Sequence, residues 1–316
     1  LDAWHLPKIK KLTLSAPGGS VLSHELPLGG FGVSRYLLDD ALAGLARQHQ
    51  VDIYTNTRVK DIVFSNEHFD ILTDKINVRT NLCMGAFGKR SNIDLKWKRP
   101  FSQQKANALN NFIGVKYHAR IPHEQHVIAL HNFRNGYCGI SSIEDDKCCI
   151  CYLTTAENLK AYGNSIPKME KELLSKNPYL QEIFTSAKFL YEKPLTISQI
   201  SFEKKEQVEN HVLMLGDAAG LITPLCGNGM SMALHSSKLA AALADRFLQK
   251  EISRNTLELI YRQQWQTSFA GRLFTGRIIQ AAFGKEWTTN LLVRGLRPFP
   301  SIVNKIIMQT HGEQPF

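Results

Sequence analysis

The chain has 316 residues, of which 43% are hydrophobic and 21% charged, a globular composition that excludes disorder and fibrous repeats. Its mean hydropathy is −0.20, and no apolar run approaches the roughly 18 residues that a membrane-spanning helix needs. The net charge of +10 favours an anionic partner, such as a phosphate-bearing cofactor or an acidic membrane surface. The basic residues are spread along the chain, which argues against a nucleic-acid partner.

Residues 1–100 show a mixed helix and strand pattern. A hairpin is predicted over residues 9–26 with its turn at Ala16–Gly19, followed by a glycine-rich loop at 27–32. Ser34 is the predicted N-cap of a helix with an apolar stripe at Leu37, Leu38, Ala41, Leu42 and Leu45. Short strands are predicted at residues 51–54, 58–64, 69–72 and 78–84.

Residues 101–205 have the pattern of an antiparallel sheet. Apolar and β-branched runs occur at residues 112–118, 126–131, 137–143, 148–154 and 196–202. A helical segment is predicted at 156–187, within the sheet region, and Glu203–Gln207 is predicted to be a turn back to the first region.

The remainder returns to an α/β pattern and ends in helices. A buried strand is predicted at 211–215, and helices are predicted at 229–249, 255–281 and 286–310, the last broken at Pro298 and Pro300. The fold class is therefore α/β (α+β), with an antiparallel sheet domain inserted into an α/β domain and a helical C-terminus.

Six cysteines and no secretory signal predict a reducing, cytoplasmic setting. Cys148, Cys149 and Cys151 lie on a predicted strand, where Cys149 and Cys151 share one face. Two interpretations stand, metal ligation and packing in the core. Packing is favoured, and no metal is predicted, because no second cysteine or histidine pair lies at zinc spacing.

The strongest functional motif spans Val212–Met230. A buried strand ends at Gly216, where the missing side chain would let a ligand approach, and Asp217 follows at the carboxyl end of the strand. Pro224 then leads to Gly227-Asn228-Gly229, which open a helix whose N-terminus offers N–H groups to an anion. A tight turn with an N-cap is the alternative interpretation.

The motif G-D-A-A-G-L-I-T-P-L-C-G-N-G-M resembles the second FAD fingerprint of flavoproteins built like para-hydroxybenzoate hydroxylase. That superfamily includes aromatic hydroxylases, flavin halogenases and geranylgeranyl reductases. The resemblance implies a Rossmann-like FAD-binding domain, in which Asp217 hydrogen-bonds the ribityl chain. It also implies that Gly227, Asn228, Gly229 and Met230 bring backbone amides to the pyrimidine edge of the flavin, and that Gly216 and Pro224 belong to the motif.

Two other segments fit the same family. Ser34–Asp39 resembles its R-x-x-L/F-D helix start, which implies that Arg35 contacts the phosphate or ribose. Gly85 and Ala86 lie where the family carries G-A-D-G-x-x-S, but Phe87 replaces the aspartate that hydroxylases use. Val59 matches a position whose backbone meets the adenine.

The resemblance gives each region a role. Residues 1–100 are a partial FAD-binding domain, 101–205 a substrate domain with a helical insertion, 206–250 the second FAD motif and 251–316 C-terminal helices. The family's first strand–GxGxxG–helix segment does not match anywhere. We therefore expect an N-terminally truncated FAD-binding domain.

The branch of the family is predicted from the helix start and the helical C-terminus, which are most similar to the geranylgeranyl reductases. Their lipid motif has the pattern Tyr-x-Trp-x-Phe-Pro and should fall near Gly136-Tyr137. Only the glycine and the tyrosine are kept there, which argues against a polyprenyl substrate. The halogenase motif W-x-W-x-I-P is absent from the sequence.

Four residues are candidates for contact with a substrate, with structural packing as the alternative for each: His118, His131, Tyr137 and Cys226. His118, His131 and Tyr137 lie on predicted strands that roof the flavin in this superfamily, and Cys226 lies inside the flavin loop.

The sequence thus predicts an FAD-dependent oxidoreductase that acts on an unidentified small organic molecule, with NAD(P)H or another donor reducing the flavin. A flavin-dependent monooxygenase of an aromatic or polyketide-like substrate is one alternative. A non-catalytic remnant that cannot hold FAD is another. The segment from Arg272 to Lys305 interleaves large apolar and basic residues, which leaves peripheral membrane contact open beside helix packing. The oligomeric state is not predicted.

Overall fold

The computed structural model describes residues 4–283 and 285–311, apart from the side chains of Cys226 and His311. The strands are β1 (Lys8–Ser15), β2 (Val21–Phe31), β3 (Val59–Ser65), β4 (His68–Thr73), β5 (Asn77–Thr80), β6 (Met84–Gly85), β7 (Phe112–Arg120), β8 (Val127–Phe133), β9 (Gly136–Ile143), β10 (Lys147–Thr155), β11 (Lys188–Phe189), β12 (Leu195–Ile200), β13 (Val208–Glu209) and β14 (Val212–Met214). The helices are α1 (Arg35–Gln48), α2 (Asn92–Lys96), α3 (Pro100–Gln103), α4 (Ala156–Ala161), α5 (Ile166–Glu172), α6 (Pro178–Ser186), α7 (Gly229–Leu248), α8 (Arg254–Phe283), α9 (Glu286–Leu296) and α10 (Pro300–His311).

The chain divides into two compact units. The first unit contains three segments of the chain: the residues before Ile53, the segment Asn111–Ile200, and the residues from Ile278 on. The second unit contains the segments Ile53–Asn110 and Ser201–Arg277. This division differs from the boundaries expected from the sequence, because the hairpin of β1 and β2 lies with the large sheet and not with residues 53–100.

The first unit is built on one large sheet with the strand order β11-β7-β10-β9-β8-β1-β2, to which β12 adds by pairing with β7. All its pairs are antiparallel except β1 with β8, which are parallel. One face packs on the segment of α5 and α6, and we call it the helix-covered face. Its core residues include Val115, Ala119, Ile150, Tyr152, Met169, Leu173 and Leu180. The predicted antiparallel sheet with a helical insertion is confirmed.

The predicted glycine-rich loop at 27–32 is wrong for most of its length, because β2 continues to Phe31. The register between β1 and β2 shifts between Ile9 and Lys11, opposite this stretch, as at a β-bulge. Gly32 follows directly, and a Cβ there would lie 1.8 Å from the carbonyl oxygen of Ser142. Glycine is therefore needed because two backbone segments nearly touch.

Helix α1 begins where the sequence predicts, because Ser34 Oγ accepts a hydrogen bond from the N–H of Leu37 at 3.1 Å. Its apolar stripe is not buried, however, and Leu45 is 52% exposed. The strand predicted at 51–54 is wrong. These residues are exposed and form no strand. The N–H of Val51 instead donates to the carbonyl of Ala46 at 3.0 Å, at the end of α1.

The second unit contains two small sheets and two long helices. One sheet has the order β13-β14-β6, with β14 parallel to β6, and the other is the antiparallel meander β3-β4-β5. Its core joins these sheets to α7 and α8, through Leu213, Met214, Met232, Leu257 and Phe269 among others. The predicted strand at 211–215 and helices near 229–249 and 255–281 are confirmed. Within the described residues, no helix has the length and apolar character to cross a membrane.

Candidate functional site

The turn after β14 forms the centre of the candidate site in the second unit. Because β14 and β6 are parallel, their carboxyl ends lie at the same edge, and the N–H of Leu215 donates to the carbonyl of Gly85 at 3.0 Å. A single 3-10 turn, Gly216–Ala218, follows β14 and places Asp217 in a partly exposed position. The structure thus brings Gly85 and Asp217, which were predicted from separate motifs, to one sheet edge.

Gly216 and Gly85 allow close packing, a role that the sequence interpretation did not give to Gly216. Gly216 has φ +52°, and a Cβ there would lie 3.1 Å from the Cβ of Ala233, so its missing side chain lets α7 pack closely. A Cβ at Gly85 would lie 2.6 Å from the ring of Phe87. Phe87 itself packs against the core of the second unit.

The start of α7 is the part of the motif that leaves space for a ligand. Gly227 has φ +68°, and among the described residues other than its chain neighbours no heavy atom lies within 4 Å of a built Cβ. The nearest such atom to Gly229 lies 3.8 Å away. The helical hydrogen bonds begin with the N–H of Met232 donating to the carbonyl of Asn228 at 3.0 Å. The N–H of Gly227 donates to the carbonyl of Pro224 at 2.9 Å. The N–H groups of the first helical turn, from Gly229 on, therefore point out of the helix end, as an anionic or polar ligand requires. We call Gly227 and Gly229, with the N–H groups at this helix end, the open glycine cradle.

Three buried side chains hold the carbonyl groups of the turn after β14, and the sequence interpretation missed them. Lys205 Nζ donates to the carbonyl of Asp217 at 2.8 Å, Arg99 Nη1 to that of Ala218 at 3.1 Å, and Gln207 Nε2 to that of Ala219 at 3.4 Å. We call Arg99, Lys205 and Gln207 the carbonyl clamp. Each of the three is at most 5% exposed. The clamp fixes the backbone from which the Asp217 carboxylate projects.

The clamp is held by a buried ion pair. Arg99 Nη1 lies 2.9 Å from Asp94 Oδ1, and both side chains are 1% exposed. Asp94 also accepts from the N–H of Ser91 at 2.6 Å and completes a capping box at the start of α2. Burial lowers the pKa of Lys205 to about 8. Lys205 and Gln207, two members of the clamp, both lie in the predicted turn at Glu203–Gln207.

The remaining cofactor-binding candidates lie in different places. Val59 begins β3 of the second unit, and its carbonyl accepts from Asn92 Nδ2 at 2.9 Å. Pro224 opens a short 3-10 turn just before Gly227, and Met230 lies in the first turn of α7. Arg35 lies in the first unit, where its guanidinium pairs with Asp39 at 2.8 Å and both side chains are exposed.

His131 occupies a structural position in the first unit. Its Nδ1 lies 2.8 Å from Ser15 Oγ, its ring stacks on Tyr179, and only 4% of the residue is exposed. Asn177 Nδ2 donates to the same Ser15 hydroxyl at 2.8 Å. Burial lowers the pKa of His131 to about 4, so the ring is neutral at physiological pH. The expected contact of His131 with a substrate has no support in this geometry.

His118 lies on the other face of the large sheet, which we call the half-buried face. It pairs across the strands with Cys149, and Lys116 pairs with Cys151. These residues alternate with the core residues of the helix-covered face and are only partly buried. Burial lowers the pKa of His118, and the neighbouring charge of Lys116 lowers it further.

The cysteines of the half-buried face are thiols at neutral pH, since burial raises the pKa of Cys149 and raises that of Cys151 to about 12. Cys148 and Cys138 lie in the buried part of the sheet. Within the described residues, no group of three histidine, cysteine or acidic side chains is placed to bind a metal. Tyr137 is 4% exposed, and the side chain of Cys226, the fourth substrate candidate, lies outside the description.

Comparison with known proteins finds remote relatives, and no protein-family model matches the chain. Conditioned medium factor receptor 1 of Dictyostelium discoideum is 24% identical over 251 residues, which cover 75% of this chain and 48% of that protein. Digeranylgeranylglycerophospholipid reductase of Methanospirillum hungatei is 31% identical over 65 residues, 21% of this chain and 16% of that protein. The chain therefore spans about half the length of the first of these relatives.

The fold is shared with solved flavin-dependent proteins. The flavin-dependent halogenase CmlS matches with a TM-score of 0.75 at 16% identity, over 100% of this chain and 63% of that chain. A flavoprotein/dehydrogenase from Cytophaga hutchinsonii matches with a TM-score of 0.76 at 15% identity, over 98% and 78%. HpxO of Klebsiella pneumoniae, solved with FAD and uric acid, has a TM-score of 0.76 at 14% identity, over 98% and 82%. The predicted fold class is confirmed.

Proposed function

We propose that this chain is part of an FAD-dependent oxidoreductase and that the second unit holds the flavin end of FAD. The observation that carries the proposal is the open glycine cradle at Gly227 and Gly229, which follows the clamped turn of Asp217 in the same motif. When bound, FAD supplies the redox chemistry, and the protein supplies binding and electrostatics. The shared fold supports the proposal, since the comparison proteins include an FAD complex and a flavoprotein dehydrogenase.

In this proposal the chain's residues divide the work. The Asp217 carboxylate accepts a hydrogen bond from a ribityl hydroxyl, and the amides of Gly229 and Met230 donate to the polar edge of the flavin. The amide of Gly227 donates to the carbonyl of Pro224 at 2.9 Å and shapes the turn before them. The positive end of the α7 dipole favours negative charge at that edge. Gly85 and Ala86 border the same site through the parallel pairing of β6 and β14. Val59, in the same unit, is proposed for the adenine end.

The test of the proposal is the Asp217→Ala variant of the complete natural polypeptide. Loss of a charge-assisted hydrogen bond worth about 1.5–3 kcal/mol should weaken FAD binding by about ten- to a hundred-fold. FAD affinity is measured by titration of flavin fluorescence. Asp245→Ala, at an exposed position near the other end of α7, is the matched control and should bind FAD normally. Equal FAD affinity in Asp217→Ala and wild type would refute the assignment.

For the reaction, we propose a reductase or dehydrogenase in preference to a monooxygenase, with NAD(P)H as the electron donor and a small organic molecule as the substrate. Phe87 supports this choice, because it packs against the core at the position where the resembling hydroxylases carry an aspartate. The half-buried face with His118 is the proposed substrate side. The test reduces the complete protein anaerobically with NADH or NADPH and then mixes it with oxygen. A single phase of flavin reoxidation agrees with the proposal, whereas an additional spectral phase before reoxidation points to a monooxygenase.

A function of another class is favoured by one comparison. Conditioned medium factor receptor 1, one of the relatives, is named a receptor, which agrees with a binding protein that lacks redox turnover. Bleaching of bound flavin by NADH or NADPH, followed by reoxidation, separates the two candidates. A protein that binds no FAD, or binds it without reduction by any donor, would favour the binding protein.

We further propose a cytoplasmic protein with peripheral contact to an anionic membrane. The five cysteines whose side chains are described are free thiols, as a reducing compartment maintains them. Large apolar side chains are exposed on and between α9 and α10: Trp287 (68%), Leu291 (62%), Phe299 (52%), Ile302 (47%) and Met308 (40%). Exposed basic residues accompany them, namely Lys285, Arg294, Arg297 and Lys305, against the one acidic residue Glu286 in residues 285–310. Basic side chains are attracted to the negative charge of an acidic lipid surface, and large apolar side chains can insert into its interface.

The membrane contact is tested by sedimentation with vesicles of phosphatidylserine and phosphatidylcholine. Wild type should pellet with these vesicles and not with phosphatidylcholine alone, and added salt should weaken the binding. Replacing Trp287 and Leu291 by serine should reduce binding by about ten-fold. Leu259→Ser is the matched control, since Leu259 is 54% exposed on α8. The proposal fails if wild type does not pellet, or if it pellets equally with both vesicles.

A further inference from the structure

We propose that Lys205 is a positioning residue for FAD, which acts by holding the two cofactor segments of the second unit together. The inference rests on the proposed FAD site. Lys205 Nζ donates to the carbonyl of Asp217 at 2.8 Å and to the carbonyl of Lys89 at 2.7 Å. Asp217 follows β14, and Lys89 belongs to the segment after β6, so a single ammonium group connects the ends of two parallel strands.

The surroundings of Lys205 support positioning over a general packing role. The residue is 5% exposed, and its ammonium lies 4.3 Å from the ring centre of Phe101. Burying a lysine is costly unless its charge finds partners, and both of its hydrogen bonds are to backbone carbonyls of the proposed cofactor segments. Without them, the Asp217 turn loses one of the three side chains of the carbonyl clamp. The carboxylate would then sample several orientations, and only some would meet the ribityl chain.

The charge state of Lys205 should therefore affect FAD affinity. Four charged groups act on the ammonium: Asp94 and Asp217 raise its pKa, whereas Arg99 and Lys89 lower it. Burial is the largest effect, and the pKa falls to about 8. Below this pH, the ammonium makes charge-assisted hydrogen bonds to both carbonyls. Above it, the neutral amine has one fewer N–H and bonds them more weakly. FAD affinity should thus decrease as the pH rises through about 8.

The experiment measures the FAD dissociation constant of the complete natural polypeptide between about pH 6.5 and 9.5, across the charge change of Lys205. Lys205→Met should bind FAD about ten-fold more weakly than wild type at the acidic end, and its affinity should lack the decrease near pH 8. Lys205→Arg keeps the charge throughout and should restore binding without that decrease. The neighbouring Lys204 is exposed, so Lys204→Met is the matched control and should follow wild type.

A double-mutant cycle separates this inference from the proposed function. Because Lys205 acts partly through Asp217, Lys205→Met should weaken FAD binding less in the Asp217→Ala background than in wild type. Additive effects of the two substitutions would contradict the inference, as would wild-type FAD affinity of Lys205→Met at every pH. If neither substitution can be purified folded, a pH-independent FAD affinity of wild type contradicts it. Wild type that binds no FAD, or Asp217→Ala that binds it normally, would instead refute the proposed function.

Discussion

Replacing Arg99 by methionine should reduce the free energy of unfolding of the second unit by about 3–5 kcal/mol. The substitution leaves the Asp94 carboxylate, which is 1% exposed, without the guanidinium that lies 2.9 Å from it. It also removes the donors to the carbonyls of Ala218 and Glu206. An uncompensated buried charge is more costly than the loss of the attraction alone, because the carboxylate cannot regain its water. Urea denaturation followed by circular dichroism measures the change.

A surface arginine provides the control for this prediction. Arg246 lies 3.3 Å from Glu251, and their side chains are 48% and 52% exposed. Because solvent screens such a pair, Arg246→Met should change the free energy of unfolding by less than about 1 kcal/mol. The double variant Asp94→Asn with Arg99→Met should be more stable than Arg99→Met, since it removes the stranded charge. If Arg99→Met lost no more stability than Arg246→Met, the interpretation of Asp94 and Arg99 as a stabilising buried pair would be wrong.

Replacing Gly32 by alanine should have an equally large effect on the first unit, with a loss of about 3 kcal/mol or more. The new Cβ would lie 1.8 Å from the carbonyl oxygen of Ser142 and 2.9 Å from its carbonyl carbon. Both atoms belong to the backbone of β9, a central strand that pairs with β8 and β10, so they cannot move without breaking sheet hydrogen bonds. The expected result is a strongly lowered unfolding temperature or failure to fold.

Gly30 is the matched control, because a Cβ built there meets no heavy atom within 4 Å. Gly30→Ala should keep the unfolding temperature within a few degrees of wild type, since a tolerated substitution changes stability by about 0.5 kcal/mol. The temperatures are measured by differential scanning calorimetry. Equal temperatures for Gly32→Ala and Gly30→Ala would show that the close approach of residues 32 and 142 is wrong.

Elements with a strong hydrophobic period could be predicted from the sequence. The run at 148–154 became β10, and the predicted helix at 229–249 became α7, which spans Gly229–Leu248. Here the side chains that define the period pack in the core, so the pattern and the structure report the same burial. The stripe of α1 has the same kind of period, but a sequence does not say what packs against it, and the structure leaves it unburied.

The carbonyl clamp could not be predicted, because its acceptors are backbone carbonyls and the contacts of Arg99 and Lys205 also reach distant parts of the chain. Arg99 and Ala218 are 119 positions apart, and Lys205 and Lys89 are 116 positions apart. Each acceptor is a backbone carbonyl, which every residue possesses. The residue type at the acceptor position therefore does not indicate that it binds a buried Arg, Lys or Gln. The charged stretch Glu203–Gln207 indicated a turn, and only the fold shows that Lys205 and Gln207 turn inward.

The glycines of the motif also show what the sequence could not predict. The sequence marked Gly216 and Gly227 alike as positions where a ligand approaches, and both have positive φ. The structure separates them, because Ala233 fills the space beside Gly216, whereas the space beside Gly227 is open. A glycine pattern predicts a special backbone conformation, and the neighbours decide whether it serves packing or binding.

The central claim is that the chain holds FAD at the clamped turn and the start of α7. Equilibrium dialysis of the complete natural polypeptide against FAD tests it most directly, with the bound flavin released by denaturation and identified by chromatography. The account predicts saturable binding of one FAD per chain, and a large loss of binding when Gly227 and Gly229 are both replaced by valine to fill the cradle. No saturable binding by wild type, or undiminished binding by the filled cradle, would contradict it.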